Sequence, residues 1–292
     1  MIGLTLNGGL GNLLFIYAHA YYLSKKLNTS FVLIKHGEPI LLYRYFNVER
    51  NTFYYIDQIF FEHKGFKLFF SHYLRRIYLS CMQLLFVSKV VVVNNIEDPL
   101  IVLNNVKDGT VYEGYFQSEL YFKSYANELK QTLTIKEKYA NEYLKNFDWL
   151  KTKKKIVTIH IRRTDYKDAF GYLGLGSSNL ILPFDYYHQL IKEIHHPLHF
   201  YVFISDDIAP VKAEFAYLPN TYFSEENEIT DFQLMLNADI CIIANSSFSW
   251  WAAYLNKRKK TVYCPKYYLG FLKEIEYPTK IYPENWIQIA VR

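Results

Sequence analysis

The chain has 292 residues, 51% hydrophobic and 21% charged, with 12 Gly and 9 Pro, which excludes disorder, collagen-like repeats and a staple-dependent mini-protein. Its length suits one large domain or two of roughly 150 residues each. The net charge of +5 is spread evenly, with 16 basic and 13 acidic groups in residues 1–150 and 17 and 15 after them, a balance that suits an acidic small molecule or a weak membrane contact and argues against a nucleic-acid surface.

Met1 to Leu6 carries no basic leader followed by an apolar stretch, so no secretion signal is expected and the protein is placed in the cytoplasm. Ile2 to Leu6 reads as a short strand, followed by the turn Asn7-Gly8-Gly9-Leu10-Gly11-Asn12 and a helix from Leu13 to Leu27 with Asn12 as its N-cap. Glycines there permit positive φ and a close backbone approach, and a helix N-terminus offers N–H groups to an anion or hydroxyl. Position 14 is Leu and no Gly-Lys-Ser/Thr follows, so taken alone the Gly9–Gly11 pair is a tight strand-to-helix turn.

From Phe31 to Val111 short apolar-aromatic runs alternate with polar breaks. Ile77 to Val93 is interrupted by Ser80, Gln83, Ser88 and Lys89 and is too short to span a bilayer. Arg75-Arg76 followed by Ile77, Leu79, Met82, Leu84 and Leu85 fits a basic amphipathic helix at a membrane surface, the bland alternative being a core-facing helix. Val90–Val93 and Thr110–Tyr112 read as strands and Asn127–Phe147 as a helix. The run Lys151-Thr152-Lys153-Lys154-Lys155 then marks the expected boundary between domains 1–150 and 151–292.

The second half alternates strands at Ile156–Ile161, Phe200–Ile204, Ile240–Ala244 and Thr261–Cys264 with helices at Phe184–Ile194, Thr230–Asn237 and Phe248–Leu255. That beat predicts an α/β, doubly wound parallel sheet. Cys81, Cys241 and Cys264 stand far apart in apolar runs without metal spacing and read as reduced, buried thiols.

Ligands of doubly wound sheets bind beyond the carboxyl ends of the strands. Three polar clusters fall there: His160-Ile161-Arg162-Arg163-Thr164-Asp165, Ser205-Asp206-Asp207 and Ala244-Asn245-Ser246-Ser247. Adjacent arginines leaving a strand point in different directions, so one faces the site while the other orients a carboxylate such as Asp165. A guanidinium matches a diphosphate. Asp206 and Asp207 suit a guanine edge, a ribose or a metal ion, and Ser246-Ser247 opens a helix that can receive phosphate. Each cluster also has an ordinary reading as a helix cap or surface ion pair; their joint placement on one edge favours a site.

Gly8-Gly9-Leu10-Gly11-Asn12 with Phe15 and Tyr17-Ala18, the segment Glu113–Glu119 with Tyr121-Phe122, His160–Tyr166, Tyr201–Asp207, and Asp231-Phe232 through Asn245-Ser246-Ser247-Phe248-Ser249-Trp250-Trp251-Ala252-Ala253 together resemble the bacterial α-1,2-fucosyltransferases of glycosyltransferase family 11. The likeness runs in order to Asn285-Trp286 and covers nearly the whole chain. It implies a GT-B-like fold of two Rossmann-like domains facing a cleft, the second domain binding GDP-β-L-fucose and the C-terminal tail packing back on the first. It implies inverting transfer of fucose to the 2-hydroxyl of a galactose in a glycan, with no cofactor and no required metal. Arg162 then contacts the donor diphosphate with Arg163 and Asp165 in support, Asp207 or Asp206 reads the nucleoside, and Asn245, Ser246, Ser247 and Phe248 close around phosphate and base. Gly9, Gly11 and Asn12 line the cleft from the first domain. The base that takes the galactose proton is Asp165, His160 or Glu113, and acceptor choice is expected to rest on the aromatic-rich stretch from 31 to 125. Another inverting GDP-sugar transferase, or a non-catalytic nucleotide-sugar binding protein, is the alternative.

Overall fold

The computed structural model describes residues 1–35, 41–48, 77, 80, 90–168, 171–258 and 261–291. Among them the basic stripe from Arg75 to Leu85 is represented only by Ile77 and Ser80, and Cys81 lies outside the described residues.

The chain divides into two units, Met1–Thr134 and Ile135–Arg292. In the first, β1 (Ile2–Leu6), α1 (Leu10–Leu27), β2 (Phe31–Lys35), α2 (Leu41–Tyr45), β3 (Val90–Val92), α3 (Pro99–Asn104), β4 (Val111–Glu113) and α4 (Ala126–Thr132) follow in order. The four strands form a parallel sheet in the order β2-β1-β4-β3. α1 is apolar on nearly every side and buries Leu14, Phe15, Ile16, Tyr17 and Leu23. It ends at Asn28 in the left-handed region, with Lys25 and Lys26 in the last turn, where cations complement the helix dipole.

The second unit contains α5 (Glu137–Phe147), β5 (Lys155–Ile161), α6 (Phe184–Ile194), β6 (His199–Ser205), α7 (Ile208–Phe215), β7 (Thr221–Phe223), α8 (Glu228–Leu236), β8 (Ile240–Ile242), α9 (Ser247–Leu255), β9 (Thr261–Pro265) and β10 (Ile287–Ile289). Its parallel sheet runs β10-β9-β8-β5-β6-β7. The chain moves from β5 outward to β7, then crosses back to β8 on the other side of β5. The gap between the carboxyl ends of β5 and β8 is therefore the point where strand order reverses, the usual ligand crevice of such sheets. Behind it, Trp250 and Trp251 of α9 are fully buried, and Trp250 Nε1 donates to the Ile281 carbonyl at 3.0 Å.

Two sequence expectations change. The helix read from Asn127 to Phe147 is two, broken where Thr132, Leu133, Thr134 and Ile135 bring β-branched side chains into the run and Leu133 leaves helical geometry. The unit boundary falls at this break rather than at 150/151. α5 belongs to the second unit because Gln233 Nε2 of α8 donates to the Tyr139 carbonyl and Phe147 packs edge-on against Tyr222. The closing segment supplies β10 at the edge of the second sheet and sets Trp286 against Trp250 at 5.3 Å.

Candidate active site

β5 delivers two arginines to the crevice, and they part. Arg162 makes a bidentate pair with Asp165, Nε to Oδ1 and Nη2 to Oδ2 both at 2.7 Å, and its Nε also lies 3.3 Å from Asp206 Oδ2. Its side chain stays 29% exposed. The Nε-Nη2 edge is thus fixed while Nη1 makes no hydrogen bond among the described residues, an arrangement lysine cannot reproduce. Arg163 turns the other way, with its guanidinium carbon 4.8 Å over the Phe184 ring and Nε 3.9 Å from Asp207. Arg163 Nε is buried without a hydrogen-bond partner.

The loop carrying Arg162 is held from β6. Asp206 accepts the Arg163 N–H at 2.8 Å, the Thr164 N–H at 3.1 Å and the Thr164 hydroxyl. Burial alone would raise the Asp206 carboxyl, but these donors and Arg162 outweigh it and hold its pKa below the ordinary value. Both oxygens accept from the loop, so Asp206 fixes the backbone that presents Arg162. Asp207 precedes α7 with its side chain 45% exposed and remains open to a ligand.

Across the gap, β8 leads through Asn245 to α9. Ser246 occupies the N-cap in extended geometry without a side-chain cap bond, and the first turn carries no acid. The first N–H groups of α9 thus face the crevice with the helix dipole behind them. Ser246 is buried; Ser247 and Phe248 are half-buried. Asn245 is fully buried, its Nδ2 donating to the Leu180 carbonyl at 2.9 Å while Oδ1 has no partner. Tyr166, a residue with no expected role, donates its hydroxyl to the Asn245 carbonyl at 2.8 Å and lies under the Arg162 guanidinium. It joins the first cluster to the third.

His160 sits inside β5, its ring 5.6 Å from Phe248 and its Nδ1 buried without a partner. Burial, assisted by the Arg162 charge, lowers its pKa to about 3. It is a neutral core imidazole at physiological pH and a weak base. Asp165 has both oxygens on Arg162.

The first unit has its own edge. Gly8 adopts φ +82, where a Cβ would meet Asn12 Nδ2 at 2.4 Å. Gly9, not Asn12, is the N-cap of α1, because its extended backbone lets its carbonyl accept the Leu13 N–H at 3.1 Å. Gly11 is buried inside the first turn. Asn12 instead accepts from Gln117 Nε2 at 2.8 Å, a pairing between residues 105 apart in sequence. Glu113 ends β4 and accepts the Thr5 hydroxyl at 3.4 Å. Just beyond it Phe116 takes φ +51, a strained conformation for a bulky side chain, stacked on His19 at 4.2 Å.

Parallel α/β units with charged residues gathered at a strand-order reversal place those residues where ligands of such sheets bind. The sequence profile of Glycosyl transferase family 11 matches residues 1–290, and the chain belongs to that family. It is 30% identical over 268 residues to an Escherichia coli alpha-1,2-colitosyltransferase, covering 86% of each chain. It is 31% identical over 209 residues to the O-antigen biosynthesis glycosyltransferase WbnK of Escherichia coli, covering 64% of each. Its fold is similar to the crystal structure of fucosyltransferase NodZ from Bradyrhizobium, at 12% identity and a TM-score of 0.50 over 86% of this chain and 91% of that one. The α/β, GT-B-like fold class follows from that likeness and from the two parallel sheets. No helix among the described residues is long and apolar enough to cross a membrane, and no group of three or more metal-ligating His, Cys, Asp or Glu occurs among them.

Proposed function

We propose that the protein transfers L-fucose from GDP-β-L-fucose to the 2-hydroxyl of a galactose in a surface polysaccharide or similar glycan, inverting the anomeric centre. The observation that carries this is the Arg162 guanidinium, fixed by Asp165 and Asp206 with Nη1 making no hydrogen bond among the described residues, at the same crevice as the uncapped N-terminus of α9. The galactose oxygen attacks the anomeric carbon as the bond to GDP breaks through an oxocarbenium-like state. The leaving diphosphate gains negative charge, which Arg162 and the α9 N–H groups stabilise in place of a metal ion. Ser246 and Ser247 add hydroxyls to the phosphates, Phe248 lies against the nucleoside, and Asp207 serves the ribose.

The attacking hydroxyl must lose its proton. Of the three candidates, His160 is buried and neutral, and Asp165 is spent on Arg162. Glu113, whose carboxylate accepts the Thr5 hydroxyl on Oε1 and receives no other hydrogen bond from the described residues, is the base we favour. The first unit takes the acceptor-side role with Gly9, Gly11 and Asn12.

A second reading has one specific support: the relative at 30% identity is named for colitose and an α-1,2 linkage. Colitose is fucose without its 3-hydroxyl, so the two donors differ by one polar group. A panel of GDP-fucose, GDP-colitose and UDP-sugars against lactose and N-acetyllactosamine, with linkage analysis of the product and an EDTA control, separates the readings. GDP-fucose used best, an α-1,2 product and full activity in EDTA support the proposal. Preference for GDP-colitose moves the donor assignment, and transfer from UDP-sugars only, or none, ends it.

A further inference from the structure

Arg162 and the amino end of α9 stand on two strands that part before the crevice begins. β5 pairs with β8 as far as Ile159 opposite Ile242. Beyond that point Ile161 stays with β6, and Ile243 donates its N–H to the Tyr263 carbonyl of β9 at 3.0 Å. The sheet ladder therefore stops setting the distance between the two walls where a ligand would sit, and another tie must do so.

Tyr166 supplies one. Its hydroxyl donates to the Asn245 carbonyl at 2.8 Å, its own carbonyl accepts the Leu180 N–H at 2.9 Å, and the Leu180 carbonyl accepts Asn245 Nδ2 at 2.9 Å. These bonds close a circuit through the loop after β5, the segment leading into α6 and the turn before α9. Leu180 and Asn245 are fully buried, so opening the circuit strands a polar group away from water. The Tyr166 ring lies under the arginine, with Arg162 Cζ 5.8 Å from its centroid. Burial pushes the Tyr166 phenol above its ordinary range, which keeps it in its donating form. Asn245 directly precedes Ser246, the N-cap of α9. One side chain thus touches the guanidinium with its ring and the root of the helix with its hydroxyl.

We propose that Tyr166 is a positioning residue for the donor: through the Tyr166–Leu180–Asn245 circuit it sets the spacing between the Arg162 guanidinium and the first N–H groups of α9, so that both reach one diphosphate. This rests on the nucleoside diphosphate donor of the reading above. A diphosphate presents two linked anions, and walls already held at their separation bind both without a further ordering cost. A displacement of about 1 Å at such a site is enough to cost much of the rate. A tyrosine that served the fold alone would lower the melting temperature when altered and leave nucleotide preference unchanged.

The test is calorimetric binding of GDP and GMP to wild type, Tyr166→Phe, Arg162→Ala and the double variant. Tyr166→Phe keeps the ring under Arg162 and removes the hydroxyl that reaches Asn245. It should weaken GDP roughly 3- to 10-fold while GMP, which spans less of the gap, changes little; kcat at saturating donor should fall by a similar factor. With Arg162 already replaced there is one wall left to align, so adding Tyr166→Phe should move the GDP to GMP ratio by less than about twofold. The ratio is read on the folded protein for both ligands, so a lower melting temperature does not imitate the result. Tyr166→Phe with the wild-type ratio overturns the proposal and leaves the donor reading standing, and so does a loss of equal size with and without Arg162. Wild type that binds neither nucleotide overturns both.

Discussion

The first strand of each unit runs into a different kind of edge. After β1 the chain meets Gly8, Gly9, Gly11 and Asn12, with Gln117 closing on Asn12 from beyond β4: neutral groups that donate and accept hydrogen bonds, beside the Glu113 carboxylate at the end of β4. After β5 it meets Arg162, Arg163, Asp165 and, from β6, Asp206 and Asp207, in a mesh of charge-assisted bonds. Under the proposed function the charged edge serves the donor and the uncharged one the acceptor. A diphosphate needs fixed positive charge whose geometry survives desolvation, whereas a sugar acceptor needs neutral donors and acceptors that exchange for its hydroxyls at little cost. The carboxylates around Arg162 are part of that design, because an arginine held on two sides loses little rotamer freedom when the ligand arrives.

The largest effect should come from the charged edge. Arg162→Ala should lower turnover by roughly 10²- to 10³-fold, and Arg162→Lys should fall nearly as far because an ammonium cannot make the bidentate pair with Asp165. Circular dichroism and the melting temperature should report an intact fold in both. Near-normal turnover in both variants would erase the functional difference between the edges.

Acid stability should treat the units alike and so sharpen the contrast. His19 in the first and His160 in the second are both buried, and burial lowers each pKa to about 3. The folded values lie below the unfolded one, so the neutral imidazoles contribute full stability above about pH 6.5, and this is lost as the pH falls toward 3. Each histidine should steepen the loss by about 1.4 kcal/mol per pH unit in that window. Urea unfolding at pH 6, 5 and 4 should show the slope, and His160→Gln should remove its share. A flat stability profile over that range would count against neutral burial.

The smallest effect should come from the neutral edge. Asn12→Ala leaves Gln117 Nε2 without its acceptor and should cost about 1 kcal/mol of stability. The KM for acceptor should rise a few-fold with the KM for donor unchanged. A change confined to the donor KM would reverse the roles given to the two units.

Much of this was legible in the sequence. Ile2–Leu6 and Phe184–Ile194 were read to the residue, and the other strands and helices of the second half within a few positions, because buried strands and helices that alternate leave a plain hydrophobic beat. The three polar clusters were legible for the same reason, since each follows a strand. Elements with weak patterns were missed: α7 is eight residues long, and β7 and β10 have three residues each. What local pattern cannot carry is partnership. Asp206 and Asp207 are adjacent and chemically alike, and only the backbone of a loop more than forty residues earlier in the chain makes one a clamp and leaves the other open. The same holds for Asn12, whose residue type fits an N-cap; its actual partner lies beyond β4. The lysine run at 151–155 looked like a linker because charge also marks a solvated turn before an edge-exposed strand start, and the true break at Thr134 has no charge signal.

The central claim is that Arg162 holds the diphosphate. Its most direct test is the ratio of GDP to GMP affinity, measured by calorimetry for wild type and Arg162→Ala. Wild type should favour GDP by roughly 10- to 100-fold, the worth of charge-assisted contacts to the added phosphate, and the variant should bring the two nucleotides close to parity while keeping most of its GMP binding. An Arg162→Ala protein that still prefers GDP as strongly as wild type would contradict the account.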